Sequence, residues 1–481
     1  MGPGLKTICV IGLLLLFLSS CNNKKVNNEV IDQNGIWQSI GYGRILVIDS
    51  SDYHFYDYTT TYCGLKKEGQ TDKLSTSISI KNDTLLYSIG FDIYKFVRIN
   101  NLPKICKDSL RKVDPEYVFE VFGETINEHY AYFDLNYIDF ELILPDFKEK
   151  INKGTSESEL YQIMEELIDT IKDNHGYIEP VNVVIDRTSN TSSNSHEVEE
   201  IGDFVVASKI ASTYLDSDLT EDSKVIRWGI MKNGFGYLQV NAMWLNAKLN
   251  IPDSVVKEFG FVDAYLNHIS ELSEFEATNA EVAGTKKIIS RAISDLRNTP
   301  AVILDVRFNG GGNDDVSIEI LRHFNDQNKL VASKCARAGN KLTEPLPIYL
   351  PASQDPYLKP VYLLTSQQSA SATDFLALCS MSLDNFIRIG SPTQGAISDA
   401  LEKQLPNGWY FSISNELYFD PWGNCYENIG IPVHYELFYP EDRQQFFKML
   451  YNNPEKDLQK TLESIKKISN RTINNYSNYP L

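Results

Sequence analysis

The sequence predicts an α/β core that is preceded by a helical segment and a small β-rich domain. Short β-type runs separated by polar turns occupy residues 35–98, apolar residues take helical spacing in 115–172, and strands alternate with helices from residue 225. Such alternation is typical of a buried, largely parallel sheet covered by helices. The length of 481 residues also exceeds what one hydrophobic core usually serves, so several domains are expected.

The first residues are typical of a targeting segment. Lys6 supplies a positive charge, residues 8–18 are apolar, and the small residues before Cys21 resemble the cleavage box of bacterial lipoproteins. We therefore expect residues 1–21 to be a lipoprotein signal peptide, Cys21 to become the acylated N-terminus, and residues 22–34 to form a polar tether. A plain secretory peptide with an incidental cysteine is the alternative.

From residue 35 onward, changes in the spacing of apolar residues divide the chain into expected domains. Runs such as 44–48 (RILVI) and 84–89 (TLLYSI) predict a small antiparallel barrel or sandwich. Apolar residues at helical spacing then lead to His175, and a polar stretch of low complexity at 187–200 follows. The expected division is a β-rich domain at 35–110, a helical domain carrying His175 at 111–185, a polar linker at 186–222, an α/β core at 223–445 and a C-terminal helical tail at 446–481.

Charge and composition limit the classes of partner that the protein is expected to bind. The net charge of -19 opposes sequence-independent binding to nucleic acid, because polyphosphates need Lys and Arg surfaces. No HExxH motif and no zinc-type spacing occur, so neither a metal nor another cofactor is expected. A peptide or protein substrate is the partner that remains.

The cysteines do not predict a disulfide scaffold. Besides Cys9 and Cys21, five remain, which is an odd number without a CxxC pair. Cys63 and Cys106 could form a single bridge in an oxidising compartment, but the sequence leaves their geometry open.

Two loops follow predicted strands and contain residue types that acyl transfer needs. The first, residues 305–312 (DVRFNGGG), has a glycine run whose backbone N–H groups could point into a site. A phosphate-binding loop would continue with Gly-Lys-Ser/Thr, whereas Asn313, Asp314 and Asp315 follow here. A tight structural turn is the other interpretation of this loop.

The second loop, residues 366–374 (SQQSASATD), lies between a predicted strand at 361–365 and an apolar helical run. A small-residue turn from strand into helix exposes a serine hydroxyl where the helix dipole favours negative charge. Helix capping by Ser or Thr would explain the same residues.

Five motifs in order give a resemblance to a known family. ILDVRFNGGG at 303–312, SASATD at 369–374, IGSPTQG at 389–395, LPNG at 405–408 and ENIGIP at 427–432 resemble the tricorn and C-terminal processing peptidases. The resemblance extends over about residues 115–436. It implies a crotonase-like α/β catalytic core and a serine peptidase that acts through an acyl-enzyme.

The resemblance assigns the reacting groups. Ser371 takes the position of the nucleophile. The oxyanion hole is expected from the backbone N–H of Ala372 together with that of Gly310 or Gly311.

This chain differs from the processing-peptidase branch in the residue that would act as the general base. That branch activates its serine with a lysine, but Ala396 occupies the lysine position. The tricorn-like branch uses a histidine and a late glutamate, which here correspond to His175 and Glu427. His175 would act as base and then as acid, while Glu427 would orient the pair or hold a peptide's N-terminus. Asn174 replaces the serine that supports the histidine in that branch.

Other functions share some of these features. A non-catalytic ligand-binding protein on the same fold, resembling interphotoreceptor retinoid-binding protein, is one alternative. A surface adhesin or glycan-handling lipoprotein that uses the tyrosine-rich β-domain is another. As a peptidase, the protein would be exported and lipid-anchored to the cell envelope. The sequence does not determine its oligomeric state. Residues 249–296 and 339–360 would be candidates for walls that select the substrate.

Overall fold

The computed structural model describes residues 33–74, 76–107, 111–181 and 200–477. The predicted signal peptide, nearly all of the predicted tether and nearly all of the low-complexity stretch lie outside these ranges. No helix within them is long and apolar enough to cross a membrane.

The N-terminal region folds as one seven-stranded antiparallel sheet, where the sequence predicted a small barrel or sandwich. Its strand order is β4-β3-β2-β1-β7-β6-β5. Trp37, Leu46 and Phe96 are fully buried on it, and Cys63 forms a disulfide with Cys106 just after the last strand. The strands are β1 (Gly35–Ser39), β2 (Arg44–Ile48), β3 (Asp52–Tyr58), β4 (Cys63–Gln70), β5 (Ile78–Lys81), β6 (Thr84–Ile89) and β7 (Asp92–Ile99).

Three capped helices follow: α1 (Pro115–His129), α2 (Phe140–Glu149) and α3 (Glu157–Ile171). Asp114, Asp139 and Ser156 accept hydrogen bonds from the first-turn amides, which fixes where each helix begins. The buried faces pack against an antiparallel hairpin of β18 (Ala400–Gln404) and β19 (Tyr410–Ser414). The short strand β8 (Tyr177–Glu179) joins this hairpin. The helices thus carry the chain around His175 to the edge of the α/β core.

The α/β core is built on a second seven-stranded sheet, ordered β21-β17-β16-β12-β11-β10-β9. The five strands β11, β12, β16, β17 and β21 run parallel to one another, while β10 is antiparallel to both of its neighbours, β9 and β11. This confirms the predicted α/β class. The strands are β9 (Leu215–Asp218), β10 (Ile226–Met231), β11 (Gly236–Val240), β12 (Val302–Asp305), β16 (Val361–Thr365), β17 (Phe386–Gly390) and β21 (Tyr435–Glu436).

Helices cover both faces of this sheet, and a smaller antiparallel sheet packs beside it. The smaller sheet contains β13 (Lys329–Ala338), β14 (Lys341–Leu342), β15 (Leu346–Leu350) and β20 (Glu416–Phe419). The helices are α4 (Asp203–Tyr214), α5 (Asp253–Phe259), α6 (Phe261–Ile269), α7 (Glu274–Leu296), α8 (Asp314–Arg322), α9 (Ala372–Ser380), α10 (Arg443–Asn452) and α11 (Pro454–Ser477).

Residues 203–218 differ from the predicted linker, because they form α4 and β9. Val206, Ala207, Ile210 and Ala211 recur at helical spacing and are fully buried. These small apolar side chains provide enough contact area to order the segment, although polar residues surround them.

Candidate active site

Ser371 occupies the turn between strand β16 and helix α9. Its backbone has φ 54° and ψ −122°, a conformation that is strained for a residue with a β-carbon. The Ser371 N–H donates to Asp374 Oδ2 at 3.0 Å and to the Ala396 carbonyl at 3.0 Å. These bonds hold the strained turn and place the serine at the N-terminus of α9, where the helix dipole is positive.

The neighbouring serines are structural. Ser366 Oγ donates to the Arg307 carbonyl at 2.6 Å, and Ser369 Oγ donates to the Val306 carbonyl at 2.9 Å. Both side chains are buried, whereas Ser371 is partly exposed and lines a cavity. Of the three serines, Ser371 is therefore the one that a substrate can reach.

The glycine loop packs directly on this turn. Gly311 has φ 110°, and a β-carbon there would lie 2.7 Å from Ser371 Cβ, so only glycine allows this approach. The Gly311 N–H already donates to Asn309 Oδ1 at 2.9 Å. Of the two glycines that the resemblance offered as oxyanion donors, the structure therefore favours Gly310, together with Ala372 at the first position of α9.

His175 lies in a short turn that is fastened to strand β19. Asp173 Oδ1 accepts from the His175 N–H at 3.0 Å and from Ser414 Oγ at 2.6 Å, and Ser412 Oγ donates to the His175 carbonyl. Its imidazole Nδ1 is buried without a hydrogen-bond partner. Within the described part of the chain, no hydrogen bond joins the imidazole to the Ser371 hydroxyl.

Burial lowers the pKa of His175, while the negative charges of Asp173 and Asp399 oppose that shift. The imidazole is therefore neutral at neutral pH. A neutral imidazole is the form that can accept a proton from a serine hydroxyl.

Glu427 is buried and contacts backbone amides beside Ser371. One oxygen accepts from Ile397 N–H at 2.8 Å and from Ser398 N–H at 3.2 Å, and both residues line the cavity that Ser371 opens onto. Burial raises the pKa of Glu427 to about 7. The described contacts of Glu427 do not include the His175 ring, so its carboxylate shapes the loop next to the serine.

Asn174 joins the histidine turn to the glutamate loop. Its amide nitrogen donates to Asn428 Oδ1 at 2.7 Å, to the Gly395 carbonyl at 3.2 Å and to Glu427 Oε1 at 3.4 Å. The His175 turn and the segment around Glu427 are therefore tied together, although they are far apart in sequence.

Asp374 is a site residue to which the sequence reasoning gave no role. Its buried carboxylate accepts from the amides of Ser371, Gly395 and Ala396, and burial raises its pKa to about 6. It lies at the third position of α9, where an acidic residue after a capping serine is a recognised signal. That spacing could have identified it.

Ala396, which the resemblance places at the lysine position of the processing-peptidase branch, has no basic side chain. Its N–H and carbonyl both bond to the serine turn. The two buried lysines of the core have other partners: Lys334 pairs with Asp92 and Glu416, and Lys403 pairs with Asp57.

A cavity of about 390 Å³ adjoins Ser371. The N-terminal sheet, helix α7, the glycine loop and the segment 397–399 all contribute to its lining. Within the described ranges, no three His, Cys, Asp or Glu side chains converge as a metal site requires.

A strained serine at a strand-to-helix turn, beside a glycine loop on a parallel sheet, defines the class of α/β serine hydrolases. The particular family follows from residues 265–437, which match the model described as peptidase family S41. This part of the chain is similar to S41 peptidase domains, which supports a hydrolase. The match includes Ser371 and Glu427, whereas His175 lies before it.

Solved structures show the same fold. A predicted peptidase from Parabacteroides merdae is 17% identical, with a TM-score of 0.51 over 71% of this chain and 97% of that one. Mature CPAF is 13% identical, with a TM-score of 0.50 over 75% of this chain and 98% of that one. No curated protein sequence matches the chain. The predicted α/β fold is thus confirmed, and the match at residues 265–437 supports the predicted resemblance.

Proposed function

We propose that the protein hydrolyses peptide bonds through an acyl-enzyme on Ser371, with His175 as the general base. The observation that carries this proposal is the position of Ser371, whose strained turn, helix N-terminus and adjoining cavity occur together. Neither Ser366 nor Ser369 has this combination, because their hydroxyls are buried and bonded to backbone carbonyls.

The chemistry follows from the groups around the serine. Neutral His175 takes the Ser371 hydroxyl proton as Oγ attacks the peptide carbonyl carbon, and the Ala372 and Gly310 amides stabilise the developing oxyanion. The C–N bond then breaks, and His175 returns the proton to the leaving amine. Water, deprotonated by His175, finally releases the acyl group from Ser371.

This mechanism requires the imidazole to come within hydrogen-bonding distance of Ser371 Oγ when a peptide binds. Catalytic hydrogen bonds are often absent or long without substrate and form in the bound complex. The bonds of Asp173 and Asn174 hold the His175 turn beside the serine loop, which limits the movement needed. In this scheme Glu427 and Asp374 are positioning residues, since they contact the serine loop and not the reacting atoms.

The proposal is tested by turnover of a peptide substrate. Ser371→Ala and His175→Ala should each lower kcat by roughly 10⁴ to 10⁶, as deletion of a triad member does. His54→Ala, a half-exposed histidine in strand β3, is the matched control and should retain full activity. Near-normal turnover by His175→Ala would mean that another group is the base.

We also propose that the protein is exported and held to a membrane through an acyl chain on Cys21. The cleavage-box resemblance supports this, and the Cys63–Cys106 disulfide is of a kind that persists in oxidising compartments. Wild type should partition into the detergent phase, Cys21→Ser into the aqueous phase, and the control Cys425→Ser should behave as wild type. Aqueous partitioning of wild type would contradict the anchor.

A further inference from the structure

Six carboxylates line the cavity beside Ser371, and no Lys, Arg or His among the described residues does so. A volume of about 390 Å³ lies within the range of ligand pockets. Because Ser371 opens onto the same cavity, a peptide bound for attack would place a neighbouring side chain there. The carboxylates are Asp92, Glu274, Glu281, Asp314, Asp315 and Asp399.

The N-terminal sheet forms one wall of this cavity through Ile89, Asp92 and Tyr94. The turn between β6 and β7 is fixed against the catalytic core. The Phe91 N–H donates to Asp315 Oδ1 at 2.9 Å, and the Phe91 ring stacks on Phe375 of helix α9 at a centroid distance of 5.6 Å. The helix that begins at the nucleophile therefore also holds the β-domain in place.

The carboxylates of this wall outnumber the buried cation that pairs with them. Lys334 pairs with Asp92 at 2.6 Å and with Glu416 at 2.9 Å. This one cation is therefore shared by two carboxylates, and the other carboxylates of the cavity are additional to these. Burial, together with Glu416 and Asp399, raises the pKa of Asp92 to about 7. Burial and the charge of Asp399 hold the pKa of Asp314 well above its usual range.

The six carboxylates differ in the hydrogen bonds that they already accept from the protein. Glu281 accepts from the Leu245 and Asn246 amides and from the Tyr265 hydroxyl, so it maintains the cavity wall. Asp399 is exposed, and its described hydrogen bond is to the N–H of Ala400, the next residue. Asp399 is therefore able to receive a cation from a bound substrate.

The rest of the lining suits the stem of a long basic side chain. Trp244, Tyr265, Ile269 and Ile397 provide apolar surface in the same cavity. Lys and Arg side chains pack their methylene groups on such surface and direct the charged end towards carboxylates.

We propose that this cavity is a specificity subsite for a Lys or Arg side chain next to the scissile bond, with Asp399 and the β-domain's Asp92 as its charged contacts. The inference rests on the proposed peptidase function. It assigns the N-terminal sheet a role in substrate selection. The net charge of -19 acts in the same direction, because it attracts basic peptides to the surface.

A digest of a complex peptide mixture by the purified protein tests the preference directly. Mass spectrometry of the products should find Lys or Arg enriched at one of the two positions that flank the cleaved bond. Cleavage sites without such enrichment would overturn the proposal.

Matched variants test the assigned residues. Asp399→Asn and Asp92→Asn should each lower the ratio of kcat/KM for an Arg peptide to that for its Leu analogue by roughly tenfold, because one attractive charge is lost. Taking the ratio on one variant cancels general effects on folding and on the base. The control is Asp83→Asn, which changes an exposed residue in the turn between β5 and β6, outside the cavity, and should leave the ratio unchanged. An unchanged ratio in both cavity variants would contradict the assignment.

A fluorophosphonate probe without a basic group separates this proposal from the proposed function. Labelling of wild type and both cavity variants at similar rates, with no preference for basic peptides, would remove the subsite and leave the serine mechanism intact. Absence of labelling together with absence of peptide turnover would remove both.

Discussion

Asp374 supports the strained turn at Ser371, the proposed nucleophile. The Ser371 N–H donates hydrogen bonds to the Asp374 carboxylate and the Ala396 carbonyl, which hold the serine in a strained conformation. The same carboxylate accepts from the N–H groups of Gly395 and Ala396 and so fixes that loop. Strain of this kind persists only when surrounding contacts maintain it. The fixed turn keeps the hydroxyl directed to the cavity before any substrate arrives.

The pH dependence of activity should report on His175. Its burial lowers the pKa, so the imidazole becomes protonated only at a lower pH than an ordinary histidine, and the acidic fall of kcat/KM should lie at correspondingly lower pH. Asp399 opposes this shift. Asp399→Asn should therefore move the acidic limb to still lower pH when an uncharged peptide is used.

Two controls belong with this pH profile. Asp83→Asn should leave the limb in place, and Glu427→Gln should retain it, although the replaced carboxyl has a pKa near 7. If the limb disappeared in Glu427→Gln, the titrating group would be the glutamate and the assignment of His175 as base would fail.

At the residue scale, the order of the motifs predicted the candidate active-site residues, but the sequence did not predict the hydrogen bonds that support them. The structure brings together the segments that contain Ser371, His175 and Glu427. Alanine occupies position 396, where the resemblance would place a competing lysine. The bond between Gly311 and Asn309 was not predictable, since it depends on the local path of the loop. The role of Asp399 beside His175 depends on tertiary packing in the same way.

At the scale of elements, strand β18 connects the N-terminal sheet to the core. Lys403 Nζ is buried and donates to Asp57 Oδ1 at 2.9 Å and to the carbonyls of Tyr42 and Gly43 at 2.8 and 2.6 Å. Burial lowers the pKa of Lys403 to about 8, so the charge is retained at neutral pH through these partners. The ion pair fixes the sheet that supplies Asp92 to the cavity.

Lys403→Ala should therefore destabilise the protein by about 3 kcal/mol or more, because it leaves the buried Asp57 carboxylate without its cation. Denaturant unfolding measures the change. Lys66→Ala is the control, since the exposed Lys66 donates to a carbonyl of the same strand and should cost about 0.5 kcal/mol or less. Equal effects of the two substitutions would show that the buried pair does not hold the sheet.

The elements that the sequence predicted best are the strands of the core. Runs of apolar residues at 236–240, 361–365 and 386–390 coincide with β11, β16 and β17, because strands buried on both faces are continuous in apolar residues. Helix α4 was not predicted, since its small apolar residues follow a long polar stretch. The pairing that makes one sheet of β1 to β7 is non-local, and short alternating runs do not determine it.

At the scale of the whole molecule, the C-terminal helix is joined to the glycine loop at residues 305–312. Arg307 is fully buried, pairs with Asp305 at 2.6 Å and reaches Asp457 of helix α11 at 2.8 Å. The Tyr214 hydroxyl of α4 also donates to Asp457 at 2.8 Å. The segment that ends in the glycine loop is thus supported from both the region before the core and the region after it.

The site itself is assembled from distant parts of the chain. The N-terminal sheet supplies Asp92, the helical region supplies the proposed base His175, and the segment that matches family S41 supplies the proposed nucleophile Ser371. This arrangement explains why the matched family segment, residues 265–437, contains the nucleophile without the proposed base. The proposed base and Asp92 of the proposed subsite lie outside this segment, whereas Asp399 lies within it.

The most direct test of the central claim is the site of covalent modification by a fluorophosphonate. Peptide mapping of the labelled, active protein should place the adduct on Ser371 and find none on Ser371→Ala. Ser366 and Ser369 should remain unmodified, because their hydroxyls are buried and bonded to the carbonyls of Arg307 and Val306. An adduct on Ser366 or Ser369, or active protein that is never labelled, would contradict the account.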